Sequence, residues 1–215
     1  MWGDSPLATF PLSLFVLSGL APSPFKRKQP LWTFCPEKAP WLTSSAPNLA
    51  KLPEATTQRP ILFLDVDGVI SLFGFPSRTQ PPGQFHWVDG IAHCISDGAG
   101  PRLCRLAEAF EMVWATGWEE KANEYLPILL NLPDDELPVL TFDGRAVFGT
   151  AHWKLEAIEE YAGDRPAAWI DDSLDERCTT WAEGRSAPTL LIETDSATGI
   201  TDEHVERLLD WALAL

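Results

Sequence analysis

The 215-residue chain has only four cysteines, Cys35, Cys94, Cys104 and Cys178, and no two of them form a C-x-x-C pair. Scattered thiols in a chain of this size exclude a disulfide framework and a zinc site, and they read as reduced and cytosolic. Basic charge is also scarce. Lys and Arg number 16 against 31 Asp and Glu, a net charge of −15. The deficit is uneven: residues 1–59 hold six basic and three acidic residues, whereas residues 60–215 hold ten and 28, a balance of −18. So acidic a body excludes strong binding of duplex nucleic acid through backbone electrostatics alone. It keeps the chain soluble and leaves acids to hold a metal. An uninterrupted membrane-length apolar run is missing too. The stretch from Leu7 to Pro22 contains Pro11 and is followed, not preceded, by Lys26-Arg27-Lys28. A secretory signal carries its positive charge first, and a spanning helix needs about 20 apolar residues. The expectation is a cytoplasmic protein with no membrane partner. No internal repeat is visible.

What is present divides into two parts. Residues 1–59 carry nine of the 19 prolines and no sustained period. They read as a disordered Pro-rich tail, or as a leader upstream of the true start. Residues 60–215 read as one domain with room for a core, consistent with a hydrophobic content of 45%. Apolar and amphipathic segments alternate there. Strands are expected at 61–64, 111–115, 137–142, 167–170 and 189–192, and helices at 101–110, 119–130, 152–161, 174–181 and 201–213. Thr201 suits the cap of the last helix, with Asp202 and Glu203 in its first turn. Alternating strands and helices predict an α/β fold with a doubly wound, five-stranded, mostly parallel sheet.

The most informative stretch is Ile61-Leu62-Phe63-Leu64-Asp65-Val66-Asp67-Gly68-Val69. A buried strand delivers two carboxylates and then turns at a glycine. The carboxyl end of a parallel strand is where open α/β sheets place ligands. Two close carboxylates repel, so they imply a cation or a shared proton. The second expected strand ends in Trp114-Ala115-Thr116-Gly117-Trp118. A hydroxyl beside a glycine just before a helix suits a phosphate oxygen, through Thr116 Oγ and backbone N–H groups at and after Gly117. Lys154 opens a helix after the third strand, where a cation balances a phosphate and an aspartate together. The fourth strand ends in another acidic cluster, Asp171-Asp172-Ser173-Leu174-Asp175. Hard oxygen ligands without histidine point to Mg²⁺ over zinc.

This set, in this order, resembles the haloacid dehalogenase-like (HAD) phosphatase superfamily from Pro60 to the C-terminus. Its apolar-Asp-x-Asp-Gly motif is matched by Leu64-Asp65-Val66-Asp67-Gly68, its Thr/Ser by Thr116, its lysine by Lys154 and its acidic cluster by Asp171, Asp172 and Asp175. The resemblance implies roles. Asp65 would attack phosphorus and become an aspartyl-phosphate, and Asp67 would protonate the leaving group and then activate water. Mg²⁺ would be held by Asp65, the Asp67 carbonyl and Asp171, with Asp172 or Asp175 as the further acid. Thr116, Gly117 and Lys154 would hold the phosphate. An Asp at position 67 suits a phosphatase, because hydrolysis of an acyl-phosphate needs a general base.

Superfamily members choose substrates with a cap domain. Here 49 positions separate Asp67 from Thr116 and 38 separate Thr116 from Lys154. Neither gap holds a full cap, and 71–97 leaves room only for a flap. An open site of this kind implies a phosphorylated substrate that is either a small molecule or a nucleic-acid end. The chain is similar to the small HAD domains of Swiss-Army-knife RNA-repair proteins, with their short flap and Trp-x-Thr-x-Trp-like second motif. The competing reading is a non-catalytic HAD-like binding module. Of the ten tryptophans, Trp114, Trp169 and Trp211 are expected in the core. Trp118 and Trp153 flank the site, where they either pack or stack a base. Arg78 on the flap is either a phosphate contact or a surface residue. His86, His93 and Cys94 lack the spacing of a metal site.

Deletion of residues 1–59 is expected to leave the melting temperature of the remainder nearly unchanged, because the segment offers no core. Thermal melts of the full and shortened chains check this, and a drop of many degrees on truncation would show that the segment packs on the domain.

Overall fold

Ile61–Leu64 (β1) is apolar at every position, and all four of its residues are buried. A strand with both faces buried needs layers on both sides, and the chain supplies them. The structure, a computed structural model, describes residues 58–142 and 149–215. The expected tail, residues 1–59, lies outside these apart from its last two positions, as does the apolar run at Leu7–Pro22. Among the described residues no helix is long and apolar enough to cross a membrane.

After β1 come Ser71–Leu72 (β2), Gly83–Val88 (β3), Ile91–Ser96 (β4), Ala99–Ala107 (α1), Glu111–Trp114 (β5) and Lys121–Leu130 (α2). A 3₁₀ turn at His152–Lys154 leads into Leu155–Ala162 (α3), followed by Ala167–Asp171 (β6), Glu176–Gly184 (α4), Thr189–Glu193 (β7) and Asp202–Leu213 (α5). The main sheet has four parallel strands in the order β5-β1-β6-β7. Alternation along β1 splits the core in two, because successive side chains of a strand face opposite ways. Leu62 and Leu64 join Leu103, Leu106, Leu126, Val205 and Leu208 from α1, α2 and α5. Ile61 and Phe63 join Ile158, Ala162 and Cys178 from α3 and α4. Trp114 and Trp169 are fully buried, one in each layer. Trp211 stacks on Phe110 with ring centroids 6.2 Å apart.

The expected fifth strand is not part of this sheet. Residues 137–142 touch β5 through a single bridge, Val139 to Trp114. The cause is local. Pro138 accepts from the Trp114 N–H at 2.8 Å but has no N–H to return, and Leu140 donates to the Trp114 carbonyl at 2.9 Å. The Phe142 N–H is then diverted to Glu119 Oε1 at 2.9 Å. The ladder has nowhere to continue.

Between β1 and α1 the chain forms a three-stranded antiparallel sheet, β2-β4-β3. This is the short flap expected at 71–97. Its tip turns at Asp89 and Gly90, both with positive φ, the requirement of a two-residue hairpin. Its base is tied down: the Ser71 N–H donates to Val66 O at 2.9 Å and the Ser96 N–H to Ile70 O at 2.9 Å.

α5 begins as expected at Thr201, whose Oγ1 accepts from the His204 N–H at 3.3 Å while His204 Nδ1 accepts from the Thr201 N–H at 3.2 Å. This reciprocal cap requires an unprotonated Nδ1. Burial of the ring holds the His204 pKa below its usual 6.5. Its folded-state pKa is therefore depressed. The stability it contributes is complete above about pH 6.5 and is lost as pH falls through the lower, folded value. Urea unfolding is expected to show Thr201→Ala costing about 1 kcal/mol at pH 7.5. Between pH 7.5 and 5 the unaltered protein should lose more stability than His204→Gln, which keeps a capping side chain that does not titrate. Equal pH dependence in both would show that the cap does not titrate.

Candidate active site

β1 lies between β5 and β6, so the chain leaves β1 at the point where the sheet's order reverses. Crevices open at such points. Asp65 is the first residue past β1. Its N–H donates to Ile170 O at 3.1 Å, and the Ala115 N–H donates to Leu64 O at 2.8 Å, so both neighbouring strands hold the strand end. Asp65 Oδ1 accepts from the Val66 N–H at 2.8 Å, and Oδ2 lies 2.9 Å from Lys154 Nζ. That ammonium also donates to Asp171 Oδ2 at 2.7 Å. Lys154 thus bridges the ends of β1 and β6.

Lys154 reaches this position from the 3₁₀ turn, which is pinned twice. The Ala151 N–H donates to Ser173 O at 2.8 Å, and His152 Nδ1 sits 2.5 Å from Asp175 Oδ2. Asp65, Lys154 and Asp171 are all buried. Burial pushes the Asp65 carboxyl up to about 7, with Lys154 pulling it down and Asp171 pushing it further up. Burial alone would lower the Lys154 pKa, but the two carboxylates outweigh it and hold the ammonium protonated above its ordinary value. The net effect is a buried cation that makes two buried anions tolerable.

Asp172 completes an acidic group. Asp65, Asp171 and Asp172 each offer a carboxylate oxygen, and these oxygens lie within 4.8 Å of one another. Burial raises the Asp172 pKa, against the hydrogen bond that Ser173 Oγ donates to Oδ1 at 2.9 Å. Space for Asp172 exists because residue 68 is glycine. A Cβ there would fall 2.1 Å from Asp172 Oδ2, and Gly68 has φ +73°. Three converging hard oxygen donors in a cradle that a Cβ would fill are what a divalent cation of the magnesium or calcium kind requires. Asp175, the other candidate acid, has a different task. It caps α4, its Oδ1 accepting from the Arg177 and Cys178 N–H groups at 3.0 and 3.2 Å.

Asp67 stands apart from the three carboxylates. Its side chain is half exposed, with Oδ2 accepting from Trp118 Nε1 at 3.0 Å and Oδ1 lying 3.6 Å from His93 Nδ1. Thr116 is buried and its Oγ1 accepts from the Trp118 N–H at 3.3 Å, which leaves the hydroxyl hydrogen for another acceptor. Gly117 is exposed beside it. Trp153 packs edge-on against Phe142, centroids 4.6 Å apart, and lies 5.5 Å from Lys154 Nζ. Arg78 is exposed on the flap.

The structure therefore brings Asp65, Lys154, Asp171 and Asp172 into one cluster and sets Asp67, Thr116 and Gly117 on the same strand ends. Two neighbours were not legible. Trp118, expected either to pack or to stack a base, holds Asp67 through its indole N–H. His86, His93 and Cys94 form no convergent ligand group among the described residues, as their spacing predicts, and His93 turns toward Asp67 instead. No sequence spacing signals that a flap histidine folds back onto Asp67.

An apolar parallel strand ending in Asp-x-Asp, with a buried lysine and acids from the neighbouring strand, defines an α/β protein of the haloacid dehalogenase type. Residues 61–205 match the model of the HAD domain in Swiss Army Knife RNA repair proteins, and the chain belongs to that family. No curated protein matches the chain.

Removing the bridging cation should expose its role. Lys154→Met is expected to destabilise the protein at pH 7 by about 3–5 kcal/mol, because two buried carboxylates are left facing each other. Lys154→Met/Asp171→Asn should recover part of that loss. Urea titrations of the three proteins check this, and a Lys154→Met protein as stable as the parent would show that the bridge is not structural.

Proposed function

We propose that this protein is a Mg²⁺-dependent phosphohydrolase that works on a phosphomonoester through an aspartyl-phosphate on Asp65. The observation that carries this reading is the position of Asp65: a buried carboxylate at a strand end, oriented by Lys154 and the Val66 N–H, with a second carboxylate two residues on. Asp65, Asp171 and Asp172, with the Asp67 backbone carbonyl, are the residues proposed to hold Mg²⁺. The ion would polarise the phosphoryl oxygens and offset the charge that builds during transfer.

The chain's own residues would do the rest. An Asp65 carboxylate oxygen attacks phosphorus, and the bond from phosphorus to the ester oxygen breaks. Asp67 gives its proton to that departing oxygen. Asp67, now a carboxylate, takes a proton from water, the water oxygen attacks phosphorus, and the bond to Asp65 breaks to release phosphate. Thr116 Oγ and backbone N–H groups at Gly117 hold the phosphoryl oxygens, with Lys154 balancing their charge. Burial raises the pKa of Asp65, so the nucleophile depends on Lys154 and the divalent cation to be ionised near neutrality.

For the substrate we propose a phosphorylated nucleic-acid end. Three things support this. The family is named for RNA repair proteins. The flap consists of three short strands, which leaves an approach for a polymer terminus. The balance of −18 over residues 60–215 disfavours long duplexes but not a terminus held by its phosphate. The same reading assigns the protein to the cytoplasm, where the buried thiols Cys94 and Cys178 stay reduced. It also takes the protein as an enzyme and not a binding module, since the chain carries Asp65, Asp67, Thr116, Lys154 and Asp171, the residues this reaction would use.

A phosphatase screen with nucleotides, sugar phosphates and 3′- or 5′-phosphorylated oligonucleotides tests the reading. Turnover should require Mg²⁺ and stop in EDTA. Asp65→Asn should lose on the order of 10³-fold or more in kcat while keeping the fold. Full activity in EDTA, or near-normal hydrolysis by Asp65→Asn, would sink it.

A further inference from the structure

We infer that the flap is part of the catalytic machinery: His93 on β4, together with Trp118, is a positioning residue that aims the Asp67 carboxyl group at the leaving group. The inference rests on the phosphohydrolase reading and adds a residue to it.

The geometry is specific. Asp67 lies in the turn after β1, with a half-exposed side chain, and a solvated aspartate would sample several rotamers. Here both of its oxygens face a ring nitrogen. Trp118 Nε1 donates to Oδ2 at 3.0 Å. His93 Nδ1 lies 3.6 Å from Oδ1. The two rings brace each other edge-on, with centroids 4.5 Å apart and planes at 67°. His93 Nδ1 also meets Ser71 Oγ at 3.0 Å, and Ser71 is buried on β2. The ring nitrogen is thus shared between the flap base and Asp67. His93 is itself only 14% exposed in its side chain, against 49% for Asp67. A shielded imidazole turned toward an accessible carboxylate is the arrangement of a group that orients, not one that touches substrate. The base of the flap is hydrogen-bonded to the turn carrying Asp67, including the Gly68 N–H to Ser71 O at 2.8 Å. These bonds hold the flap base, and with it His93, in a fixed relation to Asp67.

The consequence is a dependence on the leaving group. A proton donor matters most when the departing oxygen is strongly basic, and little when it is a stabilised phenolate. The step reported by kcat/KM ends with the first irreversible transfer, to Asp65, so it isolates the acid role of Asp67 from its later role with water.

The test compares kcat/KM for an alkyl phosphate and for p-nitrophenyl phosphate, both with Mg²⁺. His93→Ala and Trp118→Phe are expected to lose about tenfold or more on the alkyl ester, part of the general-acid contribution, and less than about threefold on the nitrophenyl ester. His93→Asn, which returns a polar nitrogen near the position of Nδ1, should recover most of the alkyl-ester loss. In an Asp67→Asn background His93→Ala should cost nothing further. Equal losses on both esters, or full additivity with Asp67→Asn, would overturn the inference while leaving the phosphohydrolase reading in place. If His93→Ala does not fold, Trp118→Phe, which keeps an aromatic ring and removes the indole donor, decides alone. No turnover of either ester by the unaltered protein would overturn the phosphohydrolase reading, and this inference with it.

Discussion

Everything at the head of the sheet is arranged around one buried ammonium. Lys154 lies within hydrogen-bond distance of Asp65 and Asp171, on two adjacent strands, in a position where water is largely excluded. Its attraction to both carboxylates makes it possible to bury them, and their charges in turn keep the lysine protonated against its own burial. Removing the lysine leaves two buried carboxylates without their cation, which costs far more than the net worth of the cluster. The contacts that place Lys154, from Ala151 to Ser173 and from His152 to Asp175, are therefore supports for Asp65, although none of them touches it. The end of β6 and the loop after it thus supply Asp171 and Asp172 to the cluster, while Asp175 fixes the turn from which the cation reaches it.

The sheet explains why these groups meet. β1 and β6 are short, apolar and hydrogen-bonded to each other, and they end nearly level, with Leu64 paired to Ile170. The next residue on each strand is an aspartate, so strand register alone sets Asp65 beside Asp171. Packing on both faces by α1, α2 and α5 on one side and α3 and α4 on the other makes that register expensive to slip. Position in the site is inherited from the core.

Much of this was legible in the sequence, for physical reasons. β1 was readable because four consecutive apolar residues next to Asp-x-Asp-Gly admit few other structures. β5, β6 and β7 followed from the same apolar pattern, and Thr201 from its place before two acids. Other parts were not readable. The segment at 137–142 has the composition of a strand, but strand pairing depends on donors as well as on side chains, and Pro138 removes one. The acids at 172 and 175 are chemically identical. Only the turn at Gly68 and the start of α4 separate the one that joins the site from the one that caps a helix. His93 was hidden because its contact with Asp67 depends on how a flap folds back, and no local pattern encodes that.

Pro138 has an effect beyond ending the ladder. A parallel sheet presents a row of unused donors and acceptors on its outer strand, an invitation to strands from other molecules. Beside β5 that row is met by a segment that satisfies Trp114 in both directions but returns a proline and then turns away to Glu119. An incoming strand would find β5 already engaged and, beyond it, no regular edge to continue. The same proline that denies the sheet a fifth member thus protects this side of it against edge-to-edge association, a useful property for a protein that gathers its buried carboxylates at the ends of its strands.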